Sequence, residues 1–378
     1  MEETASITER RRQTRNSVYQ CLYQSEAPLS KPELAQALSL SMPTIHQNIR
    51  ELLDLGLVRA DGAKESTGGR RAVGYTIETR ARFAVGICVT EDRLRLLATD
   101  LRLQEIAYKK TAHMAIPLHT MEQLGDVVSA ELETFLDENR LDRAQMLGVG
   151  ITLPAVINAQ RDRIVLAPTM QMSGVALGEF IRRIPYPTYI ENDATSGGYA
   201  EWFMRELQGN MAYLSLENGV GGAVLLNGAP YFGTNGRSGE FGHMCVEPGG
   251  APCNCGKRGC LEAYCSATRL STGLGITLDE FFMGLAQGNP THAALWKDTL
   301  QHLAVGINNI HMVLDCDVVL GGQLSEYMES SLPELQRLAA QLNIFGEDGS
   351  YIKLCQSPRR AVMMGVALHF IRAFVQDL

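Results

Sequence analysis

Residues 236–266 read GRSGEFGHMCVEPGGAPCNCGKRGCLEAYCS. Between Gly242 and Cys260 it gathers one histidine and four of the nine cysteines of the chain. Such a cluster is a metal site, a redox device or a disulfide knot. The flanking chain bears on the choice. The segment MEETASITERRRQTRNS at the start is charged and has no apolar secretion signal, and no run approaches the roughly 18 to 20 apolar residues that span a bilayer. A cytoplasmic location without membrane insertion is therefore expected. In a reducing cytosol clustered thiols hold metal more readily than disulfides, and an odd total of nine points the same way. No C-x-x-C falls within the stretch, which argues against a redox pair.

With 378 residues, 45% of them hydrophobic and 20% charged, the chain has the composition of a globular protein of two or three domains. Its net charge of -8 opposes nucleic-acid binding as a sum, but the charge is unevenly spread. Residues 1–82 carry twelve Lys or Arg against ten Asp or Glu, and the remainder twenty-two against thirty-two. A mildly basic front can approach phosphates where the acidic body cannot.

The front reads as helices. SVYQCLYQ (17–24) has apolar residues at helical spacing; Ser30 caps a second helix with Pro32 in its first turn and Glu33 completing a capping box. Ser41 caps a third, MPTIHQNIRELLDLG, which Gly56 closes. Ile45, Ile49, Leu52 and Leu53 form its expected buried stripe, leaving Thr44, His46, Gln47 and Arg50 outward. Two helices joined by a short turn make a helix-turn-helix whose second helix can enter the major groove. LVRADGAKESTGGRRAVGYTI then reads as a β-wing with Arg70 and Arg71 at a glycine-rich tip suited to phosphate or minor groove. The competing reading is a three-helix protein-interaction module with a solvated basic loop.

From Phe83 onward, strands alternate with helices, which implies an α/β body. RFAVGICVTEDRLRLLATD gives two strands, MEQLGDVVSAELETFLDENR an amphipathic helix, and MLGVGITLPAVI a buried strand. A second hairpin, NMAYLSLENGVGGAVLLNGAPYFG, places Gly219, Gly221 and Gly222 at its expected turn. CDVVLGGQLSEYM (316–328) is another strand ending in a glycine pair, a usual place for a nucleotide base or ribose. Two similar halves with a cleft between them would place these loops on one side.

With STGGRR at 66–71, ENDATSGGYAE at 191–201, GRSGEFGHM at 236–244 and CNCGKRGCLEAYCS at 253–266, the chain resembles the ROK family of repressors, open reading frames and kinases. The last two motifs taken together are specific to it. The resemblance implies a two-lobed, actin-like sugar-kinase fold behind the winged helix-turn-helix. It divides the chain into a DNA-binding domain at 1–80, a first lobe at 82–192 with the helix at 360–378 packing back on it, and a second lobe at 193–359. The winged helix in front resembles the regulator branch, similar to the repressors of xylose, glucose and N-acetylglucosamine operons.

The same resemblance implies a structural Zn2+ held by His243, Cys253, Cys255 and Cys260, spaced H-x9-C-x-C-x4-C. Three thiolates and an imidazole suit a tetrahedral ion with no position left for substrate. Cys245 and Cys265 fall outside the family pattern and read as packing residues. The residues matching sugar contacts are Asn192, Asp193, Glu240, His243 and Glu262, Asp193 standing at the general-base position of the kinases. Carboxylates and amides can hold adjacent hydroxyls in a fixed fork.

The phosphate loop departs from the kinase pattern. In GICVTED, Cys88 stands in place of the aspartate and Thr90 in place of the glycine of a D-x-G-x-T loop. A thiol does not organise hydrated Mg2+, and a β-branched residue obstructs close approach to phosphate. Pro154-Ala155 replaces the Pro-Gly turn of the family, and Thr169-Met170 its Asn-Leu. The expectation is a regulator, a repressor, without kinase activity, acting as a homodimer or homotetramer on operator DNA under control of a sugar or sugar phosphate. The alternatives are a sugar kinase carrying a DNA-binding domain and a regulator gated by a sugar-transport protein.

Overall fold

The structure, a computed structural model, describes residues 7–63, 73–90, 93–112, 120–167, 170–206, 209–346 and 348–378. The N-terminal module comprises α1 (Ile7–Gln24), β1 (Leu29–Ser30), α2 (Lys31–Leu38), α3 (Met42–Asp54), β2 (Val58–Ala63) and β3 (Val73–Ile77), with the strands ordered β1-β3-β2. The capping box forms: the Ser30 amide donates to Glu33 Oε2 at 2.7 Å, and the Glu33 amide to Ser30 Oγ. Ser41 Oγ accepts from the Thr44 amide at 3.3 Å. Beyond α3, Gly56 takes φ 67°, and the amides of Gly56 and Leu57 return to the carbonyls of Leu53 and Leu52. That pair of bonds is a Schellman closure, which needs a left-handed residue and finds it in glycine.

Two expectations shift. Helix α1 begins ten residues before Ser17, because its charged front half is held by tertiary partners: Arg12 pairs with Asp377 at 2.9 Å, Arg11 with Glu51, and Asn16 donates to the Gln376 carbonyl. On α3 the buried set is Ile45, Asn48, Ile49 and Leu52, while Leu53 is 38% exposed. Asn48 satisfies its amide on the Thr44 carbonyl at 2.8 Å and so can enter the core face.

The first lobe runs β4 (Phe83–Val89), β5 (Leu94–Asp100), β6 (Glu105–Lys110), α4 (Met121–Glu138) and β7 (Met146–Leu153). It continues through β8 (Val156–Ile157), β9 (Arg163–Ala167), β10 (Met172–Ala176), α5 (Gly178–Arg182), β11 (Thr188–Asn192) and α6 (Asp193–Met204). The second adds β12 (Met211–Leu216), β13 (Val220–Leu226), β14 (Ala229–Pro230), α7 (Glu262–Cys265), α8 (Ala267–Leu270), α9 (Leu278–Ala286), α10 (Pro290–Leu314), β15 (Asp317–Gly321), α11 (Leu332–Leu342), β16 (Ile352–Leu354) and α12 (Ala361–Gln376).

The two five-stranded sheets, β11-β7-β4-β5-β6 and β14-β13-β12-β15-β16, repeat one plan. In each, a strand begins an antiparallel meander on one side and pairs parallel with a later strand on the other. This is the duplicated, two-lobed architecture that the family resemblance implies. The glycines of the second hairpin divide differently from the expected turn: Gly219 lies in it, whereas Gly221 and Gly222 are inside β13. A Cβ on Gly222 would come within 2.3 Å of the Phe241 ring, so that glycine admits the loop of residues 236–266 to the sheet.

Strand β4 is buried throughout, which explains its unbroken apolar sequence. Phe83, Val85 and Ile87 face α4, whereas Ala84 and Cys88 join the core shared with α12. The C-terminal helix packs so closely that a Cβ on Gly86 would lie 2.0 Å from the Met363 carbonyl oxygen, and one on Gly150 would lie 2.4 Å from Val366 Cβ. Gly86→Ala is therefore expected to destabilise the protein by about 2 kcal/mol or more, checked by the midpoint of urea unfolding.

Helix α12 also meets the N-terminal module. Tyr19 on α1 sits edge-on to Phe374, and both belong to one hydrophobic cluster with Leu97, Leu101 and Ile371. Tyr23 Oη donates to the Leu101 carbonyl at 2.7 Å, and Arg102 donates back to the carbonyls of Tyr23 and Ser25 at 2.9 Å. Among the described residues no helix is long and apolar enough to cross a membrane.

Candidate functional site

The loop following β14 folds on itself through two isolated bridges, Cys245 with Cys260 and Pro252 with Arg258. Gly256 and Gly259 take φ 82° and 79°, turning the backbone so that Cys253, Cys255 and Cys260 converge. A short 3-10 turn, Phe241–His243, delivers the imidazole from the other side. The four donor atoms lie within 4.8 Å of one another. Cys253 Sγ is 3.8 Å from His243 Nδ1, and Cys255 Sγ is 3.7 Å from Cys260 Sγ. A tetrahedral ion with metal–sulfur bonds of about 2.3 Å sets neighbouring sulfurs about 3.8 Å apart, so the residues fit a metal. Burial pushes the Cys253 thiol up to about 12, whereas the Lys257 backbone amide lowers that of Cys255. Of the flanking thiols, Cys265 is buried and accords with a packing role, but Cys245 is exposed and lies beside Cys260 in the ladder.

The loop that could hold a metal is flanked by Glu240 on one side and Glu262 on the other. His243 meets Cys253 through Nδ1, and its other ring nitrogen has no hydrogen-bond partner among the described residues. Glu240 begins the 3-10 turn; its carboxyl is raised, chiefly by desolvation, with His243 lowering it and Glu262 and Asp193 raising it. Those three acids therefore share one electrostatic neighbourhood. Glu262 fixes itself by accepting the Val220 amide at 3.0 Å, and a Cβ on Gly219 would lie 2.7 Å from the same oxygen. The carboxylate needs that glycine.

Asn192 caps α6, its Oδ1 accepting the Thr195 amide at 3.1 Å and its Nδ2 donating to the Ala155 carbonyl at 3.1 Å. Asp193 opens the helix and accepts the Ala194 amide at 2.8 Å; desolvation raises its carboxyl, while that bond and Arg95 lower it. Of the five residues expected from the resemblance, Asp193, Glu240, His243 and Glu262 thus share one electrostatic neighbourhood, and Asn192 stands next to Asp193 at the head of α6. Behind Asn192 lies a cavity of about 170 Å³ between the lobes, lined by Arg161, Tyr189, Glu191, Phe232 and His369 among others, with Arg161 paired to Glu191 at 2.5 Å.

On α3, His46, Gln47 and Arg50 are exposed and Thr44 is half-buried. Their polar atoms rest on local partners: Thr44 on Ser41 at 2.8 Å, His46 on Lys31 at 2.9 Å, Gln47 on Glu51 at 3.3 Å, and Arg50 near Asp54 at 4.0 Å. These contacts are solvent-facing and exchangeable. Arg70 and Arg71 lie outside the described residues, as does Thr169.

Two residues in the electrostatic surroundings of Asp193 escape motif reading. Arg95 on β5 stands opposite Cys88 and donates Nη2 to its sulfur at 3.2 Å. Glu217, just after β12, has its carboxyl pushed up to about 7 by burial, against the lowering effect of Arg95. The one signal for Arg95 is its place among the alternating apolar residues of LRLLATD, where a lone arginine needs a reason.

A model of the ROK family matches residues 85–372, and one described as a helix-turn-helix domain matches 13–60. The xylose repressor of Bacillus spizizenii is 30% identical over 251 residues, covering 66% of this chain and 64% of its own, so the match spans under two thirds of that relative. A crystal structure of a ROK family transcriptional regulator, a homologue of the E. coli MLC protein, superposes with TM-score 0.76 at 21% identity, covering 97% of both chains. A ROK family glucokinase from Streptomyces griseus, solved with glucose and AMPPNP, gives TM-score 0.65 at 20% identity over 76% of this chain and 98% of its own. These structural likenesses speak for the fold. With the family model spanning most of the sequence and a helix-turn-helix in front of it, the chain belongs to the ROK family.

Proposed function

We propose that the protein is a transcriptional regulator, a repressor, that binds operator DNA through its winged helix and releases it when a sugar or sugar phosphate occupies the inter-lobe cleft. One observation carries this reading: packing runs unbroken from the cleft to the DNA module. Asn192 and Asp193 start α6; Ser196 on α6 donates to the Val362 carbonyl of α12 at 2.6 Å, and the far end of α12 meets Tyr19 of α1. A ligand that favours one lobe arrangement by differential affinity would thereby act on the position of α3. Thr44, His46, Gln47 and Arg50 on the exposed face of α3 are the proposed base-reading groups, with Arg70 and Arg71 on the wing.

The ion proposed for His243, Cys253, Cys255 and Cys260 is Zn2+ in a structural role, holding the loop that presents Glu240 and Glu262. His243 would offer its second ring nitrogen to the ligand. The working form is a cytoplasmic homodimer or homotetramer reading paired half-sites. A thiol at position 88, hydrogen-bonded to Arg95, does not supply the carboxylate that organises Mg2+, which favours a regulator over a kinase.

The test is a gel shift with the purified chain, genomic fragments selected by binding, and a panel of sugars and sugar phosphates. Specific binding, weakened roughly tenfold or more by Arg50→Ala and reversed by one class of sugar, is the expected result. ATP-dependent sugar phosphorylation abolished by Asp193→Asn would instead make the protein a kinase. Operator binding indifferent to every sugar would point to gating by a sugar-transport protein.

A further inference from the structure

Register, not spacing, joins a further pair of thiols in the loop of residues 236–266. The Val246 amide donates to the Gly259 carbonyl at 2.8 Å, and the Leu261 amide to the Met244 carbonyl at 2.9 Å. These two bonds flank Cys245 and Cys260, which are therefore a directly opposed, non-hydrogen-bonded pair of an antiparallel ladder. Such pairs set their Cα atoms about 4.5 Å apart with both side chains on one face, inside the range of about 4.4–6.8 Å that a disulfide spans. The Cys245 sulfur already leans toward the opposite strand: a Cβ on Gly259, the residue before Cys260, would lie 3.5 Å from it.

The two thiols differ in what else they can do. Cys260 is buried and converges with His243, Cys253 and Cys255, whereas Cys245 is exposed and lies outside that set. Cys255 Sγ also comes within 3.7 Å of Cys260 Sγ, but those two meet as ligands of one ion, and Cys245 is the neighbour that a metal leaves free. We infer that Cys245 and Cys260 form an oxidation site, where a peroxide converts the pair to a cross-strand disulfide and takes Cys260 out of the metal set. The Cys245 thiolate attacks one peroxide oxygen, giving a sulfenic acid and hydroxide; the Cys260 thiolate then attacks that sulfur, the S–S bond forms and a second hydroxide leaves. Two electrons pass from the sulfurs to the peroxide, and the hydroxides take up protons as water. A disulfide sulfur is no thiolate ligand, so His243, Cys253 and Cys255 remain as a three-donor set that no longer closes a structural site. An exposed disulfide is open to thiol exchange, which makes the change reversible in a reducing compartment. The inference rests on the reading of those four residues as a metal site. On the proposed reading of the cleft, the same step loosens the loop between Glu240 and Glu262 and blunts the sugar response.

Zinc release from the full-length, zinc-loaded protein under hydrogen peroxide, followed with a chromogenic chelator, tests the inference, with the disulfide mapped by mass spectrometry. Cleavage after Glu247, Lys257 and Glu262 puts Cys245, the segment of Cys253 and Cys255, Cys260 and Cys265 on separate peptides. Wild-type protein should lose its zinc as the peptides of Cys245 and Cys260 become cross-linked, and dithiothreitol with added zinc should reverse both. Cys245→Ser, at an exposed position outside the ligand set, should keep its zinc and release it at least about tenfold more slowly. Circular dichroism checks the fold of the variant; should it not fold, the cross-link mapped in the wild-type chain still decides. Equal rates of release with and without Cys245, or a disulfide that joins Cys260 to Cys253 or Cys255 instead, would overturn the inference while the metal site stands. So would wild-type protein that keeps its zinc and forms no cross-link under peroxide. Zinc-free wild-type protein would remove the metal reading and this inference together.

Discussion

Cys255→Ser is expected to strip the purified protein of metal, lowering zinc content at least roughly tenfold by elemental analysis, and to abolish release of operator by the effector. A serine hydroxyl stays protonated where the Cys255 thiol, lowered by the Lys257 amide, becomes a thiolate with ease. The regular structure of this loop is limited to two isolated bridges, a 3-10 turn and the four-residue α7. Glu240 and Glu262 stand on either side of it, so a loosened loop moves both. Thermal unfolding should begin at lower temperature, and part of the protein should aggregate. Ligand thiols must shed protons to bind metal, and burial holds Cys253 up to about 12 without one, so metal retention should weaken as pH falls. Wild-type protein purified without chelators and found free of zinc would contradict the assignment.

Glu217→Gln is expected to stabilise the protein above neutral pH. Folding raises the Glu217 carboxyl from 4.5 to about 7, chiefly by desolvation. An acid raised on folding binds its proton more tightly in the native state, so its contribution is favourable below about 4.5 and is lost as pH climbs through about 7. At pH 8 the native state therefore carries a half-buried carboxylate where the unfolded chain carries a fully solvated one. Glutamine keeps the shape and removes that cost, worth about 1–3 kcal/mol for a half-buried group. Urea unfolding at pH 5 and pH 8 checks it: the gain should appear at pH 8 and shrink at pH 5. Equal gains at both would mean that Glu217 is not raised by its surroundings.

The N-terminal module was largely readable because caps are local. Ser30, Glu33, Ser41 and Gly56 each act within one helical turn, and all four bond as their positions imply. What escaped was tertiary: the charged half of α1 is helical because α12 and α3 hold it, and Asn48 replaces Leu53 on the buried face because its amide finds a carbonyl one turn back. In the body, spacing alone brings His243, Cys253, Cys255 and Cys260 to notice, since the loop between them is short. Arg95 was not legible in this way. Its meaning lies in register, which sets it across a ladder from Cys88, and in the opposing lobe, which brings Glu217 near. Pairings made by folding leave no periodic trace in sequence.

Helix α12 has 16 residues and so a length of about 24 Å. Its first turn is clamped to α6 beside the cleft, and its last lies against α1. A stiff rod pivoting at one end multiplies a small angle by its length: a tilt of about 5° carries the far end about 2 Å. Hydrogen bonds to base edges tolerate only a fraction of that displacement. On the proposed reading, hinge motion too slight to alter the shape of either lobe would thus suffice to take α3 out of register with operator DNA.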